Sequence, residues 1–241
     1  MTLPESFNCD GVLLVDKPVD WTSHDVVNCV RGRFKIKKVG HAGTLDPNAT
    51  GLVVLLLGKA TKLSNQVMGG DKTYTGVIRL GVTTSSLDAV GEVTRVASTA
   101  AVTAAAVLKA AAKYVGDSEQ IPPMVSAIKK NGKRLYALAR KGLEVERSPR
   151  PVTIHAFAVA TDHLPDVDFS VTCSKGTYIR TLADDLGRDL GCGAHLLSLR
   201  RIASGKFSVS NAHTMDIIKT WECDDLTRHY IPFSDLNDYL D

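Results

Sequence analysis

Residues 40–51 read GHAGTLDPNATG and are the most informative stretch of the sequence. It places a single carboxylate, Asp46, among glycines and five residues after His41. An apolar run, Leu52–Leu57, follows at once and has a glycine on each side. Such a run predicts a strand that is buried on both faces. Because loops held by a rigid element often carry catalytic residues, the stretch predicts an active-site loop around Asp46.

Asp46 also has a simpler interpretation, because Asp–Pro is a common start of a helix. Asp46 would then cap the helix, and Pro47 would occupy its first turn. A cap requires neither His41 nor the three glycines at positions 40, 43 and 51, which allow close approach of the backbone. The two roles are compatible, and both stay open at this point.

The composition excludes several classes of protein. Hydrophobic residues make up 44% of the 241 residues, which is enough for a substantial core. No segment approaches the roughly 18 apolar residues that span a bilayer, and the N-terminus lacks the pattern of a secretory signal. The five cysteines form no CxxC pair, and the seven histidines show no HxxxH or HExxH spacing. We therefore expect a cytoplasmic protein with reduced cysteines, no metal, no cofactor and no membrane contact.

The hydrophobic pattern mixes strands and helices without a regular βαβ rhythm. This mixture favours an α+β fold with a largely antiparallel mixed sheet and flanking helices. Strands are predicted at residues 11–16, 52–57, 72–80, 92–96, 151–161, 168–173 and 196–202. Helices are predicted at residues 23–34, 59–68, 102–114, 135–141 and 177–190.

Charge is distributed unevenly along the chain, although the net charge is only +3. Residues 122–150 hold eight basic and two acidic side chains, a net charge of +6, and residues 214–241 carry −5. A basic segment is expected of a protein that binds a phosphate backbone. On charge alone, however, a solvated surface is the more common explanation, because clusters of Lys and Arg are frequent on protein surfaces. We predict a catalytic domain at 1–213 with a basic insertion at about 120–151, and a short acidic C-terminal tail at 214–241. Within the insertion, Asn131-Gly132 predicts a two-residue hairpin turn.

Two further motifs carry side chains that suit chemistry on a nucleotide. Tyr74, in the strand that begins DKTY, is either an ordinary half-buried residue or a stacking face for an extruded base. Arg180 ends the string CSKGTYIR and lies four residues before Asp184, so an intrahelical ion pair is the simpler interpretation. Alternatively, Arg180 pairs with Asp46, because a guanidinium opposes the rise in carboxylate pKa that a closed pocket causes.

Five segments in matching order resemble the TruB family of pseudouridine synthases, which modify uridine 55 of bacterial tRNA. The resemblance covers residues 11 to about 210, and the segments are 40–51, 72–74, 122–142, 173–187 and 191–201. It implies the pseudouridine synthase fold and the isomerisation of uridine to pseudouridine in the tRNA T-loop. No group is transferred in that reaction, so the resemblance implies no cofactor.

The resemblance also implies roles for single residues. Asp46 matches the catalytic nucleophile, Arg180 its partner, and Tyr178 a residue beneath the base and a candidate for moving the C5 proton. Tyr74 matches the residue that packs on the target uracil, and Leu199 matches a wall of the uracil pocket. The full set of predicted substrate-binding residues is His41, Lys72, Tyr74, Lys129, Lys130, Arg134 and Leu199. Of these, His41 is our hypothesis for the group that fills the gap left by the flipped base. The resemblance assigns Lys129, Lys130 and Arg134 to a flexible thumb that closes on RNA.

Some alternatives remain open on the sequence alone. The chain could be an RNA-binding protein that folds tRNA with a weak or inactive site, or a synthase that acts on another RNA. Asp46 could attack the sugar or the base. We expect a monomer that binds the T-arm stem-loop of tRNA, and we expect the chain to lack the full C-terminal RNA-binding domain of longer family members.

Overall fold

The structure is a computed structural model, and it describes residues 9–124, 126, 129–130, 133–134, 143 and 145–240. Within them the chain divides into two units. The first unit contains the described residues up to 74 and from 199 onward, and the second contains those from 75 to 198.

Strands and helices are each numbered in chain order. The structure also has 3-10 helices at Gly58–Leu63, Val209–Asn211 and Phe233–Tyr239. The strands are β1 (Gly11–Lys17), β2 (Val39–His41), β3 (Thr50–Leu57), β4 (Lys72–Leu80), β5 (Val82–Thr84), β6 (Val93–Val96), β7 (Gly116–Gln120), β8 (Lys129–Lys130), β9 (Lys133–Arg134), β10 (Arg150–His163), β11 (Asp166–Cys173), β12 (Ala194–Ser204), β13 (Phe207–Ser208), β14 (His213–Thr214) and β15 (Ile231–Pro232). The helices are α1 (Ser23–Phe34), α2 (Ser64–Val67), α3 (Ala104–Ala112), α4 (Ile179–Asp189), α5 (Met215–Thr220) and α6 (Cys223–His229).

The sheet of the first unit has the order β14-β1-β3-β12. β1 and β3 pair antiparallel over seven residues, whereas β12 runs parallel to β3 and β14 runs parallel to β1. Alternate residues of β3 belong to two hydrophobic clusters, with Val53 and Leu55 in one and Val54 and Leu56 in the other. The predicted strand that is buried on both faces is therefore confirmed.

Helix α1 begins where the sequence predicts it. Thr22 caps the helix by accepting a hydrogen bond from the Asp25 N–H at 3.0 Å, and the Asp25 carboxylate accepts from the Thr22 N–H at 2.8 Å. This reciprocal pair is a capping box. The apolar face of α1, which includes Val26 and Val30, packs into the same cluster as Leu45, the residue before Asp46.

The second unit contains β4 from residue 75 onward. In the sheet, β11 lies next to β4, and β10 and β7 follow in that order. β10 pairs antiparallel with both β11 and β7. β5 and β6 form a separate hairpin, and the buried face of α4 includes Leu182 and Leu186. In the first unit, β15 also pairs antiparallel with β1, β2 with β3, and β13 with β12. Antiparallel pairs are therefore the majority in both units, and the predicted α+β class with a largely antiparallel mixed sheet is confirmed.

Several segments differ from the sequence prediction. Residues 59–68 form a 3-10 helix and a short α-helix instead of one helix, and no strand was predicted at the positions of β2, β5 and β7. The acidic segment after 214 is folded, and it buries Met215, Ile218, Trp221, Leu226 and Leu236. Its helices have only six and seven residues, so too few apolar positions repeat to show a helical period.

The basic insertion is described only in part. β8 and β9 pair antiparallel with Lys130 opposite Lys133, which agrees with a two-residue hairpin. The predicted turn residues 131–132 and the predicted helix at 135–141 lie outside the described residues.

Cys9, Cys29, Cys192 and Cys223 are free thiols. Among the helices that the structure describes, none is long and apolar enough to cross a membrane. The described residues also contain no group of three or more His, Cys, Asp or Glu side chains that could hold a metal ion.

A cluster of three rings in the C-terminal segment predicts acid sensitivity. His213 lies 4.7 Å from both Trp221 and His229, measured between ring centroids. Burial lowers the pKa of His213 below 6.5, and the charge of His229 lowers it further. The folded state therefore binds fewer protons than the unfolded state near that pH, so stability should fall as the pH falls through 6.5.

We expect His213→Gln to reduce the loss of unfolding free energy between about pH 7.5 and 5.5, as measured by urea denaturation. His155→Gln, at an exposed position in β10, is the control and should keep the wild-type slope. An unchanged slope in His213→Gln would contradict the prediction.

Candidate active site

Asp46 lies in the loop at 42–49 that joins β2 to β3. The Ala42 N–H donates to the Val54 carbonyl at 2.9 Å, and the Ala49 N–H donates to the Asp46 carbonyl at 3.1 Å. The second bond closes a turn over Pro47, and β3 starts at Thr50. Since a turn and then a strand follow Asp46, the interpretation of Asp46 as a helix cap is wrong.

Helix α1 fixes the residue before Asp46. The buried Ser23 hydroxyl accepts a hydrogen bond from the Leu45 N–H at 2.9 Å and lies 3.3 Å from the Leu45 carbonyl, to which it donates. The Leu45 side chain is 3% exposed and is part of the core. The backbone that carries Asp46 is thus held by a capped helix on one side and by the core on the other.

Removing this hydroxyl should destabilise the loop. Ser23→Ala leaves the buried Leu45 N–H without its acceptor, which typically costs about 1–3 kcal/mol. We expect a loss of unfolding free energy in that range, measured by urea denaturation, together with slower turnover. Ser234→Ala, at an exposed position, is the control and should change stability by less than about 0.5 kcal/mol. Wild-type stability in Ser23→Ala would show that Ser23 does not hold the loop.

Lys17 holds the other side of the turn. Its side chain is fully buried, and its ammonium donates to the carbonyls of Pro18, Trp21 and Pro47 at 2.8, 2.7 and 3.1 Å. Burial lowers the pKa of Lys17 to about 8, and the charge of Asp46 is the largest effect in the opposite direction. The charges of Lys17 and Asp46 therefore interact, and the cation favours the ionised carboxylate.

Arg201 binds the backbone at both ends of the loop. Its guanidinium donates from Nε to the Leu52 carbonyl at 2.7 Å and from Nη2 to the Gly43 carbonyl at 3.1 Å. The residue is 1% exposed. Burial, followed by the charge of Arg201, lowers the pKa of His41. At neutral pH His41 is therefore mainly an uncharged ring at the entrance of the loop.

Other predicted site residues of the first unit lie around the same core. Tyr74 and Leu199 are partly buried and pack against the cluster that contains Leu45. The part of the chain that the structure describes offers no hydrogen-bond partner to the buried Nδ1 of His41. Lys72 is 7% exposed, and its ammonium donates to the carbonyls of Met68 and Gly70. Roles in substrate binding remain predictions for these residues.

In the second unit, Gln120 fixes the backbone of Tyr178, the residue at the N-terminal end of α4. The Tyr178 N–H donates to Gln120 Oε1 at 2.9 Å, and Gln120 Nε2 donates to the Tyr178 carbonyl at 3.4 Å. Gln120 is 6% exposed at the end of β7. This reciprocal pair fixes the direction in which α4 begins.

Arg180 is buried beside a carboxylate that sequence reasoning missed. Its Nε lies 3.9 Å from Asp88 Oδ2, and its Nη1 donates to the Ser86 carbonyl at 3.2 Å. Both side chains of the ion pair are about 5% exposed. Asp88 also accepts hydrogen bonds from the Ser86 hydroxyl and the Val90 N–H, so it is a fixed acceptor. Asp184, the alternative partner in the sequence, pairs with Arg188.

The predicted catalytic residues are divided between the two units, with Asp46 in the first and Arg180 and Tyr178 in the second. The pairing of Asp46 with Arg180 therefore stays a prediction. The side chains of Lys129, Lys130 and Arg134 lie outside the described residues, so their roles also stay predictions.

Comparison of the sequence with known proteins identifies the family of this chain. Residues 31–179 match the sequence model of the N-terminal domain of TruB family pseudouridylate synthases. The chain belongs to this family. Residues 180–235 match the model of the tRNA pseudouridylate synthase B C-terminal domain. The family predicted from the motifs is therefore confirmed.

Among individual TruB relatives, the chain is similar to the tRNA pseudouridine synthase B of Opitutus terrae, with 50% identity over 92% of each chain. It is also 50% identical to the tRNA pseudouridine synthase B of Burkholderia pseudomallei, over 87% of this chain and 69% of that protein. A chain in the crystal structure of a Cbf5-Nop10-Gar1 complex is similar in fold, with a TM-score of 0.69 and 29% identity. This likeness covers 89% of this chain and 56% of the solved one.

Proposed function

We propose that this chain converts uridine to pseudouridine at position 55, in the T-loop of tRNA. Membership of the TruB family and 50% identity to relatives named tRNA pseudouridine synthase B support the reaction and the class of RNA. The observation that carries the proposal is the setting of Asp46. Its loop is held by a capped helix, and the buried cations Lys17 and Arg201 bind the backbone around it.

The reaction rearranges one nucleotide. The bond from the ribose to N1 of uracil breaks, the base turns, and a new bond joins the ribose to C5. C5 loses its proton and N1 takes up a proton, so the nucleotide gains and loses no atoms overall. The Asp46 carboxylate serves as the covalent catalyst, whether it attacks the sugar or the base. For that purpose it must be ionised, and the nearby charge of Lys17 favours this state.

Arg180 supplies the second positive charge in this proposal. We assign to it the ion pair with Asp46 in the complex with RNA, and to Tyr178 the transfer of the C5 proton. Asp88 and Gln120 support both assignments, because they hold Arg180 and the backbone of Tyr178 in defined positions.

The target base must leave its stack to reach Asp46. A base in an RNA loop is already partly unstacked, so flipping it costs less than in a duplex. In the proposal, Tyr74 stacks on the flipped uracil, Leu199 forms an apolar wall, and the neutral His41 occupies the space that the base leaves. The remaining predicted contacts to RNA come from Lys72, Lys129, Lys130 and Arg134.

We also propose that the enzyme acts as a monomer in the cytoplasm and that residues 1–213 contain its catalytic machinery, with the thumb at about 120–151. The folded segment after 214 then supports the core of the first unit, to which it contributes Met215 and Leu226.

The proposal is tested by release of tritium from uridine labelled at C5, because the proton at C5 leaves only when the base is rearranged. The substrate is T-arm RNA, and the control is the same RNA with cytidine at position 55 and labelled uridine elsewhere. We expect stoichiometric release from the first RNA and none from the second. Release from other RNA hairpins only would contradict the tRNA substrate, and the absence of release from every RNA would contradict the reaction.

A further inference from the structure

We infer that residues 31–38, here called the α1 basic segment, bind phosphates of the RNA stem that flanks the modified loop. The segment reads RGRFKIKK and holds five cations and no anion. The inference rests on the proposed function, because it requires an RNA substrate. The α1 basic segment is a second phosphate-binding surface, separate from the predicted thumb. It lies on the unit that carries Asp46.

The fold holds the segment firmly and leaves its charges in solvent. Phe34 and Ile36 are 2% and 3% exposed and belong to the core cluster of the first unit. The three lysines beside these two buried residues are all exposed, namely Lys35, Lys37 and Lys38. The lysine side chains therefore extend from an anchored backbone, so little backbone entropy is lost when they bind a ligand.

Lys35 has an unusual conformation for its residue type. It ends α1 with φ 52°, in the left-handed region that glycine or asparagine normally occupies at the end of a helix. A lysine in this region is less stable than glycine would be. The dipole of α1 favours positive charge at the C-terminal end of the helix, which partly explains why Lys35 and the arginines of the last turn are cationic. It does not explain the charges of Lys37 and Lys38, which lie beyond the helix, because the effect of the dipole falls off within one turn.

Protein carboxylates leave this segment largely unneutralised. Elsewhere in the first unit, Lys59 pairs with Asp10 at 2.9 Å, and Arg200 pairs with Asp16 at 2.7 Å. Within the segment, Arg33 pairs with Glu222 at 2.9 Å. No carboxylate of the described residues lies within ion-pair distance of the three lysines. Such a patch is suited to a polyanion.

The segment leads directly to the catalytic loop. The Lys38 carbonyl accepts a hydrogen bond from the Gly58 N–H at 2.9 Å, next to the pairing of Val39 with Leu57. β2 then runs to His41, so Lys38 lies about 10 Å from His41 at roughly 3.3 Å per residue. Because duplex phosphates are closely spaced, about one per 1.7 Å of axis in DNA, a stem beside the flipped nucleotide presents several phosphates over that distance.

The test compares two triple variants that remove the same charge. Lys35→Asn/Lys37→Gln/Lys38→Gln removes the three lysines and keeps a residue that tolerates the left-handed conformation at 35. The control, Lys59→Gln/Lys219→Gln/Arg228→Gln, removes three exposed cations that pair with carboxylates. The dissociation constant for T-arm RNA is measured between about 50 and 300 mM KCl, and conversion of the same RNA is measured in single turnovers.

We expect the first variant to bind about 10- to 100-fold more weakly near 0.1 M salt, with a salt slope smaller by about 2 to 3. Its conversion should approach the wild-type rate when RNA is saturating, and the control should bind like the wild type. An active first variant with the affinity and slope of the control would overturn the inference and leave the proposed function intact. A wild-type protein that binds this RNA without converting it would overturn the proposed function.

Discussion

Replacing Asp46 with asparagine is expected to lower the single-turnover rate of pseudouridine formation by at least about 10³-fold, or roughly 4 kcal/mol of barrier. The amide has the shape of the carboxylate but neither its charge nor its nucleophilicity. The loop should persist, because Ser23, Lys17 and Arg201 bind its backbone. Rates are measured as tritium release with enzyme in excess over T-arm RNA.

The control for this prediction is Asp216→Asn, which makes the same chemical change at an exposed side chain in α5. It should retain wild-type turnover. Asp46→Asn should also retain affinity for T-arm RNA and thermal stability, which separates loss of chemistry from loss of binding or folding. A rate within tenfold of the wild type would show that another group performs the reaction.

Arg180→Met is expected to reduce both stability and turnover. The substitution leaves the buried Asp88 without its cation, and breaking a buried pair in this way typically costs about 3–5 kcal/mol. Turnover should fall by at least about 10²-fold, because the proposal assigns the charge of Arg180 to the ionised state of Asp46. The remaining activity should increase with pH, since the pKa of Asp46 would be higher in the variant. Urea denaturation and a pH profile of single-turnover rates measure these effects.

Arg79→Met provides the matched control in the same unit. Arg79 forms a two-bond pair with Asp166, with both contacts at 2.7 Å, but its side chain is 42% exposed. Its loss should cost at most about 1 kcal/mol and leave turnover unchanged. Arg180→Lys should recover part of the activity if charge is what matters. If Arg180→Met loses stability but keeps wild-type turnover and an unchanged pH profile, Arg180 is structural only.

Local sequence patterns predicted the part of the site whose residues lie close together in the chain. The apolar run at 52–57 predicted β3, and the helical pattern at 23–34 predicted α1. The glycines around Asp46 predicted a loop, which the structure confirms. Each of these features is determined by residues that are neighbours in the chain, so a short stretch of sequence is enough to predict it.

The residues that support the site could not be predicted in the same way. Gln120 binds Tyr178 across 58 positions of the chain, and Ser86 accepts from Arg180 across 94. Nothing near Asp88 in the sequence marks it as the partner of Arg180, because the contact forms only when the turn after β5 packs against α4. The C-terminal segment was missed because its buried residues, such as Ile218 and Leu226, are separated by charged and polar ones.

Mapping of pseudouridine at nucleotide resolution tests whether Asp46 is the catalyst that isomerises one uridine in the T-loop of tRNA. Unmodified full-length tRNA is incubated with the wild-type protein and, separately, with Asp46→Asn, and every uridine is then examined. We expect pseudouridine at position 55 and at no other uridine with the wild type, and none with the variant. Modification of other uridines with 55 unchanged, or equal conversion by both proteins, would refute the proposed role of Asp46.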